Sequence, residues 1–208
     1  MERLRTAHLY VITPDAEPGV VVELVSAVVR GGAEAVQLRH KSLARGELLA
    51  LARRIREITT QARVLFVVND HVDIALMSGA DGVHLGPDDL SIASARRVAG
   101  DRLVIGASAS TPEAARASLA EGADYLGSGP AFATPIKTAK RVIGPEGIAA
   151  IAATVGPDVP VFAIGGIDET NVARVVAAGL RRVCVIRAVS EAADPEQAAR
   201  RLRAMLQR

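Results

Sequence analysis

The sequence is poor in aromatic side chains: three Phe, two Tyr and no Trp among 208 residues. Single-stranded nucleic acids need such rings to stack their bases on. The basic residues are also scattered, and net charge is only +2, so nucleic-acid binding is not expected. The one cysteine, Cys184, cannot form an internal disulfide. It sits in the apolar run RVCVI and reads as a small buried hydrophobe in a reducing compartment. Long apolar runs are missing too. The N-terminal MERLRTAHLYVITPDAEPG lacks the apolar stretch of a signal peptide, and VVVELVSAVV is interrupted by Glu23 and too short to span a bilayer. These absences point to a soluble, cytoplasmic protein with neither membrane nor nucleic-acid partners.

Half of the residues are hydrophobic, mainly Val, Ile, Leu and Ala, as in parallel sheets covered by helices. No linker, charge block or low-complexity tract divides the chain, so residues 1–208 are expected to form one domain. Eight short apolar runs recur: 8–13, 34–39, 64–69, 82–86, 103–108, 124–129, 161–166 and 182–187. Most carry β-branched residues and end at Gly or a polar residue, as buried strands do. Amphipathic segments of helical length lie between them, such as 46–63, where Leu48, Leu51, Ala52, Ile55 and Ile58 repeat at helical spacing. Another spans 168–179. Gly-Ala precedes the second, fourth and sixth runs, and Ala178-Gly179 precedes the eighth. Each Gly stands where a helix should end in a left-handed cap. Eight such units favour an α/β fold of one class, a single (β/α)8 TIM barrel, over an open doubly wound sheet.

Chemistry in such barrels sits at the C-terminal ends of the strands. Strand two ends in Gln37-Leu38-Arg39-His40-Lys41, where alternation points Gln37, Arg39 and Lys41 the same way. Strand three ends in Asn69-Asp70 and strand four in Gly86-Pro87-Asp88-Asp89. Asp70 and Asp89 read either as helix N-caps or as a Mg²⁺ site, since that ion takes one or two carboxylates and completes its shell with water and phosphate oxygens. The neighbouring Arg39 and Lys41 favour the metal–diphosphate reading. Asp88 is the better candidate for a local turn or cap. Strand five delivers Ser108, and the loop GSGPAFATPIK after strand six delivers Thr134 and Lys137. Strand seven ends in Gly165-Gly166 before a helix whose N-terminal amides suit an anion, and strand eight ends in VIRAV. His8, His71 and His84 show no ligand spacing and read as structural or surface residues. No P-loop, HExxH or complete GxGxxG occurs.

Taken in order, QLRHK at 37–41, ND at 69–70, HLGPDD at 84–89, GAS at 106–108, GSGPAFATPIK at 127–137 and AIGG at 163–166 resemble the thiamine-phosphate synthase family over essentially the whole length. That family couples a pyrimidine methyl diphosphate to a thiazole phosphate, releasing pyrophosphate. The resemblance implies two phosphorylated small-molecule substrates and Mg²⁺ held by Asp70 and Asp89. It places Gln37, Leu38, Arg39, His40, Lys41, Asn69, Ser108 and Lys137 around the pyrimidine diphosphate, with Lys137, Arg39 and Ser108 as catalytic residues. It places Thr134, Pro135, Ile136, Gly165, Ile186 and Arg187 around the thiazole phosphate. Two positions depart from the family pattern: Ile136 stands where Thr or Ser is frequent, and Arg187 where Ser is common. A homo-oligomer is compatible with all of this. The rival readings are a thiazole tautomerase, which works without the acid pair and carries a His where Ser110 stands, and a non-catalytic barrel that binds a phosphorylated ligand.

Overall fold

A computed structural model describes residues 2–134 and 141–207; Pro135, Ile136 and Lys137 lie outside the described residues. Eight parallel strands, β1 (Leu9–Ile12), β2 (Ala35–Leu38), β3 (Leu65–Asn69), β4 (Gly82–Leu85), β5 (Val104–Ser108), β6 (Tyr125–Ser128), β7 (Val161–Ile164) and β8 (Val183–Val185), pair in chain order. The sheet closes where β8 pairs with β1, with Tyr10 opposite Cys184. Each expected strand is present within its expected span. Around them lie α2 (Pro18–Arg30), α3 (Arg45–Ala62), α4 (Val72–Ser78), α5 (Ile92–Ala99), α6 (Pro112–Ala120), α7 (Gly144–Val155), α8 (Val172–Ala177), α9 (Arg187–Ser190) and α10 (Pro195–Leu206).

The helices bury one stripe each. In α3, Leu48, Leu51, Ala52 and Ile55 face the strands, each large side chain contributing about 1.5–3 kcal/mol of burial. Gly32, Gly79, Gly122 and Gly179 all have positive φ, as the Gly-Ala repeat implies. The repeat runs one residue further than the Gly-Ala pair. Glu34, Asp81 and Asp124 follow it, and each carboxylate accepts from backbone N–H groups at the start of the preceding strand. Glu34 takes Leu9 (3.1 Å), Asp81 takes Phe66 (2.9 Å) and Asp124 takes Ile105 (2.7 Å). Arg203, Arg56 and Arg96 pair with these acids in turn. In three places this acid ties an even-numbered strand to the strand before it, at the end of the barrel opposite the site.

The scarce aromatics are concentrated inside the barrel. Tyr10, Tyr125 and Phe162 are fully buried, Phe162 standing edge-on to both tyrosines at centroid distances of 5.3 and 5.9 Å. Their space is made by a neighbour: a Cβ on Gly106 would lie 2.1 Å from Tyr125 Cζ.

Two elements differ from expectation. A short helix α1 (Glu2–Thr6) precedes β1 and packs Leu4 into the cluster that holds Tyr10. The segment expected as a helix over 168–179 is helical only over Val172–Ala177. Asp168 Oδ1 accepts from Thr170 N (2.9 Å) and Asn171 Oδ1 accepts from Asp168 N (3.0 Å). These side chains supply the backbone with turn partners in place of a first helical turn.

Candidate active site

The strand ends bring carboxylates and cations together on one rim. Asp70 follows β3 with φ +64°, one of two non-glycine residues with positive φ among those described. His71 N donates to Asn69 O at 2.7 Å across it, closing a tight γ-turn. A strained backbone of this kind persists where the surroundings hold it, commonly at a functional site. The turn sets the Asp70 carboxylate 3.5 Å from Lys41 Nζ. Burial and the adjacent Asp89 carboxyl push the Asp70 carboxyl up from its ordinary value, with Lys41 opposing them. Asp89 is held by a donor on its own loop, Gly86 N at 2.8 Å.

Neither acid caps a helix. His71 occupies the N-cap position of α4, and Ser91 caps α5 by accepting from Ser94 N. Asp88 is not that cap, since Ser91 begins the helix three residues later with its hydroxyl in place; it sits instead in the turn closed by Asp89 N donating to Gly86 O at 3.3 Å. Two adjacent carboxylates, one of them partly buried, repel each other unless they share a proton or a cation intervenes. Oxygen donors of that charge suit Mg²⁺, for which two carboxylates suffice when a phosphorylated ligand supplies further oxygens. No larger acid, histidine or cysteine cluster able to hold a metal occurs among the described residues.

Arg39 and Lys41 both reach the rim but on different flanks. Arg39 Nη1 donates to Asp15 Oδ2 at 3.0 Å, and Asp15 Oδ1 accepts from Lys41 N. Asp15 lies just beyond β1 and is the rim residue that sequence reasoning passed over. Its signal, an acid closing the run LYVITPD, is the same one that marks Asp70. His40 is buried, with Nε2 2.9 Å from Ala16 O, and Leu38 points into the core under the helices. Any ligand contact from these two therefore comes from the backbone.

Inside the mouth, Gln37 Nε2 donates to Tyr10 Oη (3.0 Å), which lies 3.1 Å from Tyr125 Oη. Tyr125 Oη is 3.1 Å from His84 Nδ1, and His84 Nε2 is 3.0 Å from Ser108 Oγ. One chain of hydrogen bonds thus joins Gln37 on β2 to Ser108 on β5. His84, which shows no ligand spacing in the sequence, is a hydrogen-bond partner of both Tyr125 and Ser108.

On the opposite side, the loop after β6 packs onto the end of β7. Phe132 N donates to Gly165 O at 2.9 Å, and a Cβ on Gly166 would lie 2.5 Å from Ala133 O. The paired glycines therefore admit the stretch that leads to Thr134. Ile186 packs against the barrel interior, while Arg187 turns along α9 with Nη1 3.6 Å from Glu191 Oε2. Arg187, Ile186, Arg39 and Asp15 line one cavity of about 750 Å³ beside α2. The acid pair does not line it but lies further round the rim, at the ends of β3 and β4.

Fold and site together define a closed (β/α)8 barrel whose C-terminal rim gathers paired carboxylates, two cations and a glycine turn. Comparison with known proteins narrows this. The family model described as thiamine monophosphate synthase matches residues 9–189, and the chain belongs to that family. It is 47% identical over 203 residues to a thiamine-phosphate synthase of Anaeromyxobacter dehalogenans, covering 97% of this chain and 89% of that protein. A Gloeobacter violaceus thiamine-phosphate synthase is 44% identical over 93% of this chain, which spans 55% of that longer protein. Among solved structures, thiamine phosphate pyrophosphorylase from Pyrococcus furiosus superposes with a TM-score of 0.89 at 38% identity, covering 100% of this chain and 98% of that one. No helix among the described residues is long and apolar enough to cross a membrane.

Proposed function

We propose that the chain is a thiamine-phosphate synthase, transferring the pyrimidinylmethyl group of a 4-amino-2-methylpyrimidine methyl diphosphate to the nitrogen of a thiazole phosphate, with release of pyrophosphate. The observation that carries this reading is the juxtaposition of Asp70, Asp89 and Lys41 at adjacent strand ends in a chain of this family.

The reaction breaks the bond between the pyrimidine methylene carbon and the diphosphate oxygen, which leaves with the electron pair. The ring nitrogen of the thiazole then supplies the pair that forms the new C–N bond. The electron-rich aminopyrimidine stabilises positive charge on the methylene carbon, so departure runs ahead of attack and no protein nucleophile is needed. Asp70 and Asp89 would hold Mg²⁺, which when bound neutralises charge on the departing diphosphate. Lys41, Arg39, Asn69 and Lys137 would bind the same oxygens, with Lys137 and Arg39 stabilising charge as it develops. The backbone of Leu38 and His40 completes that wall. Gln37 and Ser108 would orient the pyrimidine. Thr134, Pro135, Ile136, Gly165 and the amides at Ile186 and Arg187 would hold the thiazole phosphate in line with the leaving group. Asp15 sets Arg39 and Lys41 from behind.

The test supplies purified protein with each substrate alone and both together, with and without Mg²⁺, and measures thiamine phosphate as fluorescent thiochrome. Product only with both substrates and the metal is expected. Metal-independent isomerisation of a thiazole phosphate without coupling would assign the chain to a tautomerase. Tight binding without turnover would make it a ligand-binding barrel.

A further inference from the structure

We infer that Tyr10, Tyr125 and His84 are positioning residues that fix Ser108 as a hydrogen-bond donor toward the mouth, matched to an acceptor nitrogen of the heteroaromatic substrate ring. The inference rests on the proposed function for the identity of that ring.

The positions of the protons follow from the donor at one end of the chain. The amide nitrogen of Gln37 only donates, so Tyr10 Oη accepts at that contact, 3.0 Å away. Tyr10 is completely buried, and among the described residues its own proton has the Tyr125 oxygen, 3.1 Å away, as acceptor. A buried hydroxyl proton left without an acceptor would be costly, so Tyr10 donates to Tyr125. Tyr125, also fully buried, then directs its proton to His84 Nδ1 at 3.1 Å. With Nδ1 accepting, a neutral His84 carries its proton on Nε2 and donates to Ser108 Oγ at 3.0 Å. Ser108, accepting from behind, is left with its own hydrogen to present outward at the end of β5. A single donor at Gln37 therefore sets the direction of four hydrogen bonds, and the last of them decides what Ser108 offers a ligand.

The barrel is shaped around this chain. Gly106 and Gly127 leave out the side chains that would displace it. A Cβ at Gly106 would stand 2.1 Å from Tyr125 Cζ, and one at Gly127 would stand 3.1 Å from His84 Cε1. Phe162 holds both tyrosine rings edge-on. Three rings, two hydroxyls and an imidazole in the interior of a protein with five aromatic residues are placed for more than volume.

Two measurements test the inference. The first is ¹⁵N NMR of histidine-labelled protein without substrate, with His84 assigned by comparison with the His84→Asn variant. The expected result is an Nε2–H tautomer in the wild type, lost or mixed in Tyr125→Phe. An Nδ1–H tautomer in the wild type would reverse the chain and overturn the inference. The second is kinetic. Tyr125→Phe, which keeps the ring and its packing, should lower kcat/KM for the pyrimidine diphosphate about tenfold and leave KM for the thiazole phosphate unchanged. Placed on a Ser108→Ala background it should cost less than about twofold more, because both changes remove one interaction. A loss that multiplies in full would mean that Tyr125 acts on the fold rather than through Ser108, and would also overturn the inference. A wild-type protein that makes no thiamine phosphate would count against the proposed function instead, and the tautomer measurement would still decide the direction of the chain.

Discussion

Arg39 Nη1 donates to Asp15 Oδ2 at 3.0 Å, across the gap between the ends of β2 and β1. The same carboxylate accepts from Lys41 N and lies 3.5 Å from His40 Nδ1. One acid therefore fixes the path of three consecutive rim residues, two of them cations.

This arrangement gives a first expectation. Asp15→Asn should keep the fold, since the side chain sits at the surface of the mouth, but release Arg39 and the 39–41 backbone. KM for the pyrimidine diphosphate should rise about tenfold, with a smaller change for the thiazole phosphate. Steady-state kinetics with each substrate varied in turn measures this. Equal effects on both substrates would place Asp15 outside the diphosphate half.

The proposed metal role of Asp70 sets function against stability. Its carboxyl is pushed up by burial and by Asp89. An acid with a raised folded-state pKa favours the fold most when protonated and loses that contribution as pH rises through its folded-state value. Asp70→Asn removes the repulsion, and Asn tolerates positive φ. The metal-free variant should match the wild type at acidic pH and become more stable than it at neutral pH, by up to about 1 kcal/mol, while losing turnover. Thermal unfolding of both proteins in chelator across pH checks the sign. A variant less stable at neutral pH would contradict it.

Cys184 is buried in the barrel interior beside Tyr10, and burial pushes its thiol well above the ordinary range. The thiolate is the reactive form, so the native protein should resist alkylation up to the pH at which it unfolds. One equivalent should react once denaturant is added. Labelling with a thiol reagent followed by mass spectrometry measures both states.

Much of this architecture is legible in the order of the residues alone. The strands end where the apolar runs end because a buried parallel strand must be apolar on both faces and its exit need not be. Glycines at 32, 79, 122 and 179 mark helix ends because the left-handed turn there excludes most side chains. Asp70 and Asp89 stand out because acids interrupt apolar runs at strand ends. What stays hidden depends on closure of the barrel. Tyr10 and Tyr125 are 115 positions apart and meet only because eight strands return the sheet to its start. His84 carries no spacing signal, since its partners come from β5 and β6 across the interior. The shortening of the expected helix at 168–179 comes from side-chain competition at Asp168 and Asn171, which periodicity does not register. Helix α1 is a single short turn whose apolar content, Leu4, has meaning only against the barrel it packs under.

On the proposed function, the acid pair at the ends of β3 and β4 would seat the metal that serves the departing diphosphate. The most direct test is pyrophosphate release measured against Mg²⁺ concentration, with both substrates saturating, for the wild type, Asp89→Asn and Asp88→Asn. Asp89→Asn should need at least about tenfold more Mg²⁺ and turn over about a hundredfold more slowly, while Asp88→Asn should follow the wild-type curve. Identical curves for all three proteins, or a larger loss in Asp88→Asn, would contradict it.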